Sequence, residues 1–191
     1  QLFLSLLVAM TGALILGMGM PTLPAYLIIV LIMGPAIKLL GLSTLVVHLF
    51  VFYYGVASSL TPPVAIAAYV AAPIAGANPI MTALMALRIG AAKFIIPFAF
   101  AYYPTMLLVE NFDLVSFTSI TIRLILTIYL ISTALSAFDR NKLNYASVGT
   151  RIILAVACLL TPIEYHGPAS VIAVIIILKT WQILPFKIGQ L

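Results

Sequence analysis

The chain has 191 residues, of which 64% are hydrophobic and 7% are charged, whereas about 25% of the residues of a soluble domain are charged. Four acidic and nine basic residues cannot cover a water-exposed surface of this size, which excludes a soluble globular protein. No charged residue occurs in residues 1–37 or 39–87. The composition therefore predicts an all-α integral membrane protein.

The net charge of +5 does not indicate nucleic-acid binding, because the basic residues are scattered near the ends of apolar runs. The chain begins with Gln1 and is apolar from Leu2, without the basic segment of a signal peptide. We therefore expect it to continue from upstream sequence. The single cysteine, Cys158, lies inside an apolar run, which predicts a buried, inert thiol.

The first 40 residues contain two short apolar stretches. Residues 2–16 end at residues 17–22 (Gly-Met-Gly-Met-Pro-Thr), and residues 23–40 follow at once. A spanning helix needs about 20 apolar residues, so each arm is short for a complete crossing. Two short arms around a Gly/Pro tip favour a re-entrant hairpin over residues 1–40. One kinked helix with a tilted continuation is the alternative.

The next apolar run, residues 44–75, is uncharged and is interrupted at residues 58–63 (Ser-Ser-Leu-Thr-Pro-Pro). Two adjacent prolines supply no backbone N–H, and they push the preceding residue, Thr61, away from helical geometry. The run therefore predicts one discontinuous helix with halves at about 44–57 and 64–75.

Four further transmembrane helices are expected after this broken helix. The first runs from about 79 to 109, carries Arg88 and Lys93 toward its start, and is kinked by Pro97 and Pro104. The others are expected at about 115–136, 146–162 and 168–184. The predicted organisation is a region of hairpin and broken helix (1–78), a long kinked connecting helix (79–113) and three C-terminal transmembrane helices (114–191).

The remaining charged residues fall on two sides of these spans, and the more basic side is expected to be cytoplasmic. One side carries Glu110, Asp113 and Glu164, and the other carries Asp139, Arg140, Lys142, Arg151, Lys179 and Lys187. Arg123 is expected to extend toward the lipid headgroups. Trp181, together with Pro185 and Lys187, is expected to form an anchor at the membrane interface.

The two interrupted elements are the candidate site. Broken helices in secondary transporters expose unpaired carbonyl groups near the middle of the membrane, where they hold coupling ions. Carbonyl and hydroxyl oxygens are ligands for hard cations such as Na⁺, and the candidates are Gly17, Gly19, Thr22, Ser58, Ser59 and Thr61. The region has no acidic residue, which argues against a proton relay through carboxylates. His48 is the only titratable group in the broken helix, and we interpret it as a packing or interfacial residue.

Two alternatives to transport are an intramembrane hydrolase and a non-transporting membrane protein. An intramembrane hydrolase needs a nucleophile beside a base, but His48 lies about 15 Å along one helix from Ser58. His166 is placed in an outer loop, and no GxSxG motif is present. We therefore expect no enzyme activity and no catalytic residue. A non-transporting membrane anchor or assembly subunit stays open as the alternative, and the nature of the upstream sequence would distinguish it from a carrier.

Two motifs in this order resemble the large permease subunit of TRAP (tripartite ATP-independent periplasmic) transporters. They are residues 17–22 and, about forty residues later, residues 59–64 (Ser-Leu-Thr-Pro-Pro-Val). Residues 48–55, 67–69 and 75–79 resemble the fused permeases of the TAXI branch more closely. The resemblance extends over about residues 1–109, and the last three spans match only as the kind of extra C-terminal helices that fused permeases carry.

The resemblance implies an elevator-type carrier in the inner (cytoplasmic) membrane, with a mobile transport domain built from two inverted halves. By this resemblance, residues 1–78 would be the second transport-domain half and residues 79–113 the connecting or scaffold helix. The chain would need the upstream half of the same permease. The family uses a sodium gradient, takes small organic acids from an extracytoplasmic substrate-binding protein, and includes a small membrane subunit or a fused equivalent. No cofactor is implied besides Na⁺ as the coupling ion.

The family's site residues are carried over by position. Gly19, Met20 and Thr22 match the hairpin tip, and Thr61, Pro62 and Pro63 match the broken-helix motif that helps to hold Na⁺. The chain departs from the pattern at Pro21, where many relatives of the dicarboxylate and sialic-acid branches have Asp or Glu. The substrates of those branches are therefore not carried over.

Overall fold

The computed structural model describes residues 2–109, 112–159 and 163–181, with side chains in the last range from His166 onward. The chain divides into two compact units, Gln1–Phe112 and Asp113–Leu191. The first unit contains the helices α1 (Leu2–Gly17), α2 (Thr22–Lys38), α3 (Thr44–Ser58), α4 (Ile66–Ile74), α5 (Pro79–Ile89) and α6 (Ala92–Tyr102), and a 3₁₀ helix (Pro104–Leu107). The second contains α7 (Leu114–Ser136), β1 (Phe138–Asp139), β2 (Asn141–Lys142), α8 (Tyr145–Leu159) and α9 (Ile163–Thr180). Apart from the two short strands, the expected all-α architecture is confirmed over the described residues.

Helices α1 and α2 form a helical hairpin. Residues 18–21 connect them, and both helices pack against each other and against α3. A Cβ atom added to Gly12 of α1 would lie 2.8 Å from Cε of Met33 in α2. Leu4, near the start of α1, lines a groove together with Leu40, just beyond the end of α2, so the arms are antiparallel. The hairpin, rather than one kinked helix, is the arrangement that this sequence adopts.

Helices α3 and α4 are the two halves of the discontinuous helix. The Ser43 hydroxyl oxygen accepts a hydrogen bond from the N–H of Val46 (3.3 Å) and so caps the start of α3. Helix α3 ends at Ser58, and α4 begins only after Ala65, a buried residue with a left-handed backbone (φ 35°). The Ala65 side chain packs in a small cluster with Ala83 of α5. The expected break is therefore confirmed.

The single kinked helix expected over about 79–109 is divided in the structure. The Asn78 carboxamide oxygen caps α5, which ends at Ile89, and α6 ends at Tyr102, before the 3₁₀ helix. Gly90 stands at the division, because glycine is a poor helix former. Pro97 lies inside α6, whereas Pro104 begins the 3₁₀ helix. The prediction of one continuous helix was therefore wrong. The segment Pro79–Tyr102 as a whole is still long and apolar enough to cross a membrane.

The core of the first unit is aromatic and centres on α3. The rings of Phe50 and Tyr54 pack edge to face at 4.8 Å, and Phe98 of α6 packs against both. The buried Tyr54 hydroxyl donates a hydrogen bond to the carbonyl oxygen of Phe94 (2.8 Å), so its polar atom is satisfied inside the core. Helix α3 thus contacts α1, α2 and α6, and it fixes α6 beside the broken helix.

Helix α7 is the second stretch that is long and apolar enough to span a membrane. The Asp113 carboxylate accepts a hydrogen bond from the N–H of Ser116 (2.8 Å) at its start. Hydrogen bonds from Ser116 lower the pKa of the Asp113 carboxyl. The shorter apolar helices among the described residues are Leu2–Gly17, Thr22–Lys38, Thr44–Ser58, Tyr145–Leu159 and His166–Thr180.

Arg123 does not extend toward the headgroups as expected. It is 6% exposed, and its Nε donates to the carbonyl oxygen of Cys158 in α8 (2.7 Å). A guanidinium carries five donors, so neighbouring backbone oxygens can satisfy it inside the unit. The thiol of Cys158 is buried, as the sequence predicts.

Arg151 was expected on the basic side of the membrane spans, and the structure places it within α8, where it is 3% exposed. Its Nη2 lies 2.7 Å from Oδ2 of the buried Asp139. No residue that the structure describes gives that oxygen an aligned hydrogen bond, so the contact is an ion pair defined by distance. Arg151 also donates to the hydroxyl oxygens of Thr133 (2.6 Å) and Thr180 (3.4 Å). Burial of the pair was missed because it depends on contacts among α7, α8 and α9.

Trp181 belongs to the same polar network. Its Nε1 donates to the Tyr129 hydroxyl (2.8 Å), which in turn donates to Oδ1 of Asp139 (2.8 Å). The Arg140 guanidinium lies 5.3 Å from the centre of the Trp181 ring. The roles expected for Glu110, Glu164, Pro185 and Lys187 concern side chains outside the described part of the chain, as do residues 160–162 and 182–184 of the expected spans.

Candidate functional site

The tip of the α1–α2 hairpin is a tight reversal of the backbone. Gly17 is buried at the end of α1, and Gly19 has a left-handed backbone (φ 78°) that glycine adopts without strain. Pro21 is extended and precedes Thr22, the first residue of α2. Gly19, Pro21 and Thr22 are exposed, whereas Met20 is half-buried and packs against the core of the first unit.

The break between α3 and α4 is a compact loop rather than an open gap. The N–H groups of Ser59, Leu60 and Thr61 bond to the carbonyls of Val56, Ala57 and Ser58, respectively. The N–H of Ala67, in α4, donates to the carbonyl oxygen of Ser59 (3.2 Å), which joins the two halves. Pro62 and Pro63, joined by a cis peptide bond, contribute carbonyl groups and no donor.

The structure brings the hairpin tip and the break together. The Ser58 side chain is fully buried, and its hydroxyl oxygen lies 2.9 Å from the carbonyl oxygen of Gly17 and 2.6 Å from that of Gly55. A Cβ atom on Gly17 would stand 2.6 Å from the Ser58 hydroxyl oxygen, and one on Gly19 would stand 3.9 Å from Val64. The two motifs, 41 residues apart at Gly17 and Ser58, therefore form one local site.

The site offers oxygen atoms with lone pairs. The Ser59 hydroxyl donates to the carbonyl oxygen of Val56 and the Thr61 hydroxyl to that of Ala57, both at 2.8 Å. The hydrogen of the Ser58 hydroxyl is shared between the carbonyl oxygens of Gly17 and Gly55. A hydroxyl whose hydrogen is engaged keeps its lone pairs for a cation or another donor. No acidic residue occurs among residues 2–109, and no cluster of three His, Cys, Asp or Glu is found within the described ranges. The chemistry that the site supports is the binding of a hard cation by neutral oxygens.

Among the described residues, the candidate nucleophile of a hydrolase, Ser58, does not lie beside a base. Both hydrogen bonds of the Ser58 hydroxyl go to backbone carbonyls, not to a base. The Nδ1 of His48 lies 2.7 Å from the Tyr26 hydroxyl and so joins α3 to α2. His48 is therefore a residue of α3 that packs against the hairpin.

Helix α6 lies closer to the site than the sequence suggests. A Cβ atom on Gly90 would lie 3.8 Å from Cδ1 of Leu60, which precedes Thr61 in the break. The hydrogen bond from Tyr54 to Phe94 attaches α6 to α3 one turn before the break. One sequence feature does point to this region. Arg88 and Lys93 flank Gly90 near the middle of an apolar span, where charged residues are rare.

Comparison with known proteins identifies the family. Residues 1–115 match the sequence model of the DctM component of the tripartite ATP-independent periplasmic transporter. No curated protein and no solved structure matches the chain. The matched residues contain both the hairpin and the broken helix, and they cover 115 of the 191 residues. The chain therefore belongs to the DctM family of TRAP transporter large permeases, which are membrane transport proteins rather than enzymes.

Proposed function

We propose that this chain forms half of the transport domain of a sodium-coupled secondary transporter that imports small organic acids. The transporter lies as a multi-pass protein in the inner membrane, receives substrate from an extracytoplasmic binding protein, and moves by an elevator mechanism together with the upstream half of the permease. The resemblance to fused TAXI-type permeases supports a fused equivalent of the small membrane subunit. The observation that carries the proposal is the buried hydrogen bond from Ser58 to Gly17, which joins the hairpin tip to the break.

The proposed sodium site uses neutral oxygens on both sides of that hydrogen bond. Its hydroxyl ligands come from the break and the start of α2, and its carbonyl ligands come from residues near Gly17, Gly19 and Thr61. Backbone carbonyls at broken helices hold coupling ions in secondary transporters. A carbonyl oxygen has two lone pairs, so one that accepts a hydrogen bond can still bind a cation. The complete proposed set is Gly17, Gly19, Met20, Thr22, Ser58, Ser59, Thr61, Pro62 and Pro63.

We expect Thr61→Ala to raise the sodium concentration for half-maximal uptake by about tenfold, because it removes one hydroxyl ligand worth roughly 1–1.5 kcal/mol. The measurement is uptake by the full permease in proteoliposomes, with the binding protein present. Its ligand is first identified by mass spectrometry of the compound that copurifies with the binding protein. Thr61→Ser should keep the wild-type value.

Thr11→Ala is the matched control. The Thr11 hydroxyl also bonds a carbonyl of its own helix, Val8 (2.9 Å), but it is exposed on α1. A tenfold effect confined to Thr61→Ala supports the site. Unchanged sodium dependence in a folded Thr61→Ala protein would remove Thr61 from it. Absence of any sodium-dependent uptake by the wild-type permease would instead favour the anchor or assembly role.

A further inference from the structure

Charge is almost absent from the described part of the first unit. Residues 2–109 contain three charged side chains, Lys38, Arg88 and Lys93. Lys38 is exposed at the end of α2, whereas Arg88 and Lys93 stand about 4 Å on either side of the midpoint of Pro79–Tyr102 at 1.5 Å per residue. The hydrocarbon core extends about 15 Å to each side of its midplane. A lysine side chain that starts near the midplane is too short to reach the headgroups. Ionisable groups at that depth mark functional sites.

The two central cations occupy opposite positions relative to the helix ends. Arg88 is exposed in the last turn of α5, where the helix dipole favours a cation. Lys93 is the second residue of α6, where the same dipole disfavours a cation. Lys93 is half-buried, and it has no ion pair or side-chain hydrogen bond with any residue that the structure describes. The helix dipole thus stabilises the charge of Arg88, whereas neither the dipole nor a side chain among the described residues stabilises that of Lys93.

The chain on both sides of Lys93 contacts the broken helix. A Cβ atom on Gly90, three residues before Lys93, would lie 3.0 Å from the carbonyl oxygen of Ala86 and 3.8 Å from Cδ1 of Leu60 in the break. The carbonyl oxygen of Phe94, the residue after Lys93, accepts the hydrogen bond from Tyr54 of α3 (2.8 Å). Lys93 therefore lies between a residue next to the break and a residue attached to α3. Arg88 precedes Gly90 by two residues and therefore lies on another face of the helix.

We propose that the Lys93 ammonium binds the carboxylate of the transported substrate beside the α3–α4 break. This inference rests on the proposed function. An ammonium offers three donors to carboxylate oxygens, and a charge-assisted hydrogen bond is about twice as strong as a neutral one. The substrate anion is the partner that Lys93 lacks among the described residues. Lys93 would then hold the substrate carboxylate next to the Na⁺ that is bound by the neutral oxygens near Thr61.

The test is uptake of labelled acetate, pyruvate, succinate, malate and glutamate by the full permease with its binding protein in proteoliposomes, with and without a sodium gradient. For each accepted carboxylate, Lys93→Gln should raise KM about 10- to 100-fold, as expected for the loss of a charged hydrogen bond. The sodium concentration for half-maximal uptake should stay unchanged. Lys93→Arg should recover part of the loss, and Arg88→Gln, the matched control, should retain the wild-type KM.

A second measurement needs no variant. Acetylation of Lys93 by N-hydroxysuccinimide acetate, followed by mass spectrometry, should slow when an accepted carboxylate and sodium are added, while acetylation of Lys38 stays constant. Unprotected Lys93, or an unchanged KM in Lys93→Gln with sodium-dependent carboxylate uptake intact, overturns this inference alone. Sodium-dependent uptake restricted to uncharged compounds would overturn it too. No sodium-dependent uptake in the wild type would overturn both this inference and the proposed function.

Discussion

Gly17→Ala is expected to reduce sodium-dependent uptake by the full permease to background. Helix propensity alone predicts a gain of about 1 kcal/mol, because alanine replaces glycine inside a helix. Packing predicts the opposite, since the new Cβ would stand 2.6 Å from the Ser58 hydroxyl oxygen and 3.0 Å from its Cβ. Ser58 cannot move without breaking the contact of its single hydroxyl hydrogen with the buried carbonyl oxygens of Gly17 and Gly55. Overpacking costs about 1–3 kcal/mol, which outweighs the gain.

Gly12→Ala is the control for this prediction, because it lies on the same helix and meets the flexible end of Met33 at 2.8 Å. We expect near-normal uptake and folded yield from Gly12→Ala. The double variant Gly17→Ala with Ser58→Ala removes the closest contact, so folded yield, measured by size-exclusion chromatography, should partly recover. Wild-type uptake in Gly17→Ala would contradict the close approach of the tip to the break.

Arg151→Met is expected to destabilise the second unit by about 3–5 kcal/mol, because it leaves the buried Asp139 carboxylate without its counter-charge. Trp181 is the only tryptophan of the chain and hydrogen-bonds to Tyr129 within the same network. Its fluorescence during denaturant unfolding of the 191-residue chain in detergent therefore reports directly on this region.

Two further variants test whether the lost stability comes from the broken ion pair or from an unspecific effect of the substitution. Asp139→Leu combined with Arg151→Met replaces both charges by apolar groups and should recover most of the lost stability, since buried pairs often exchange for apolar residues at little cost. Lys142→Gln alters an exposed charge on β2 and should change the free energy of unfolding by less than about 0.5 kcal/mol. An Arg151→Met protein as stable as wild type would show that the ion pair does not form.

The features that the sequence predicted correctly depend on local backbone chemistry. Pro62, Pro63 and the glycines of the tip act through missing donors and permitted dihedral angles, and both properties can be inferred from adjacent residues. The hairpin and the break are therefore predictable, and their helix ends lie within two residues of the expected ones.

The features that the sequence did not predict depend on distant partners. Burial of Arg123 and Arg151 follows from the packing of α7, α8 and α9, which no local pattern encodes. The hydrogen bond between Ser58 and Gly17 joins residues 41 positions apart. Lys93 was expected in a continuous connecting helix, whereas the structure divides that helix at Gly90, which lies near Leu60 of the break, and attaches Phe94 to α3.

Ala65 has a mechanical consequence for the broken helix. A left-handed backbone costs a non-glycine residue about 1–2 kcal/mol, yet this position holds a buried alanine whose methyl group packs near Ala83. A flexible hinge at this position would favour glycine, which moves between left- and right-handed backbone freely. The methyl group instead packs the start of α4 against α5. Of these two left-handed positions, a change of backbone therefore costs less at the exposed Gly19 of the hairpin tip than at Ala65.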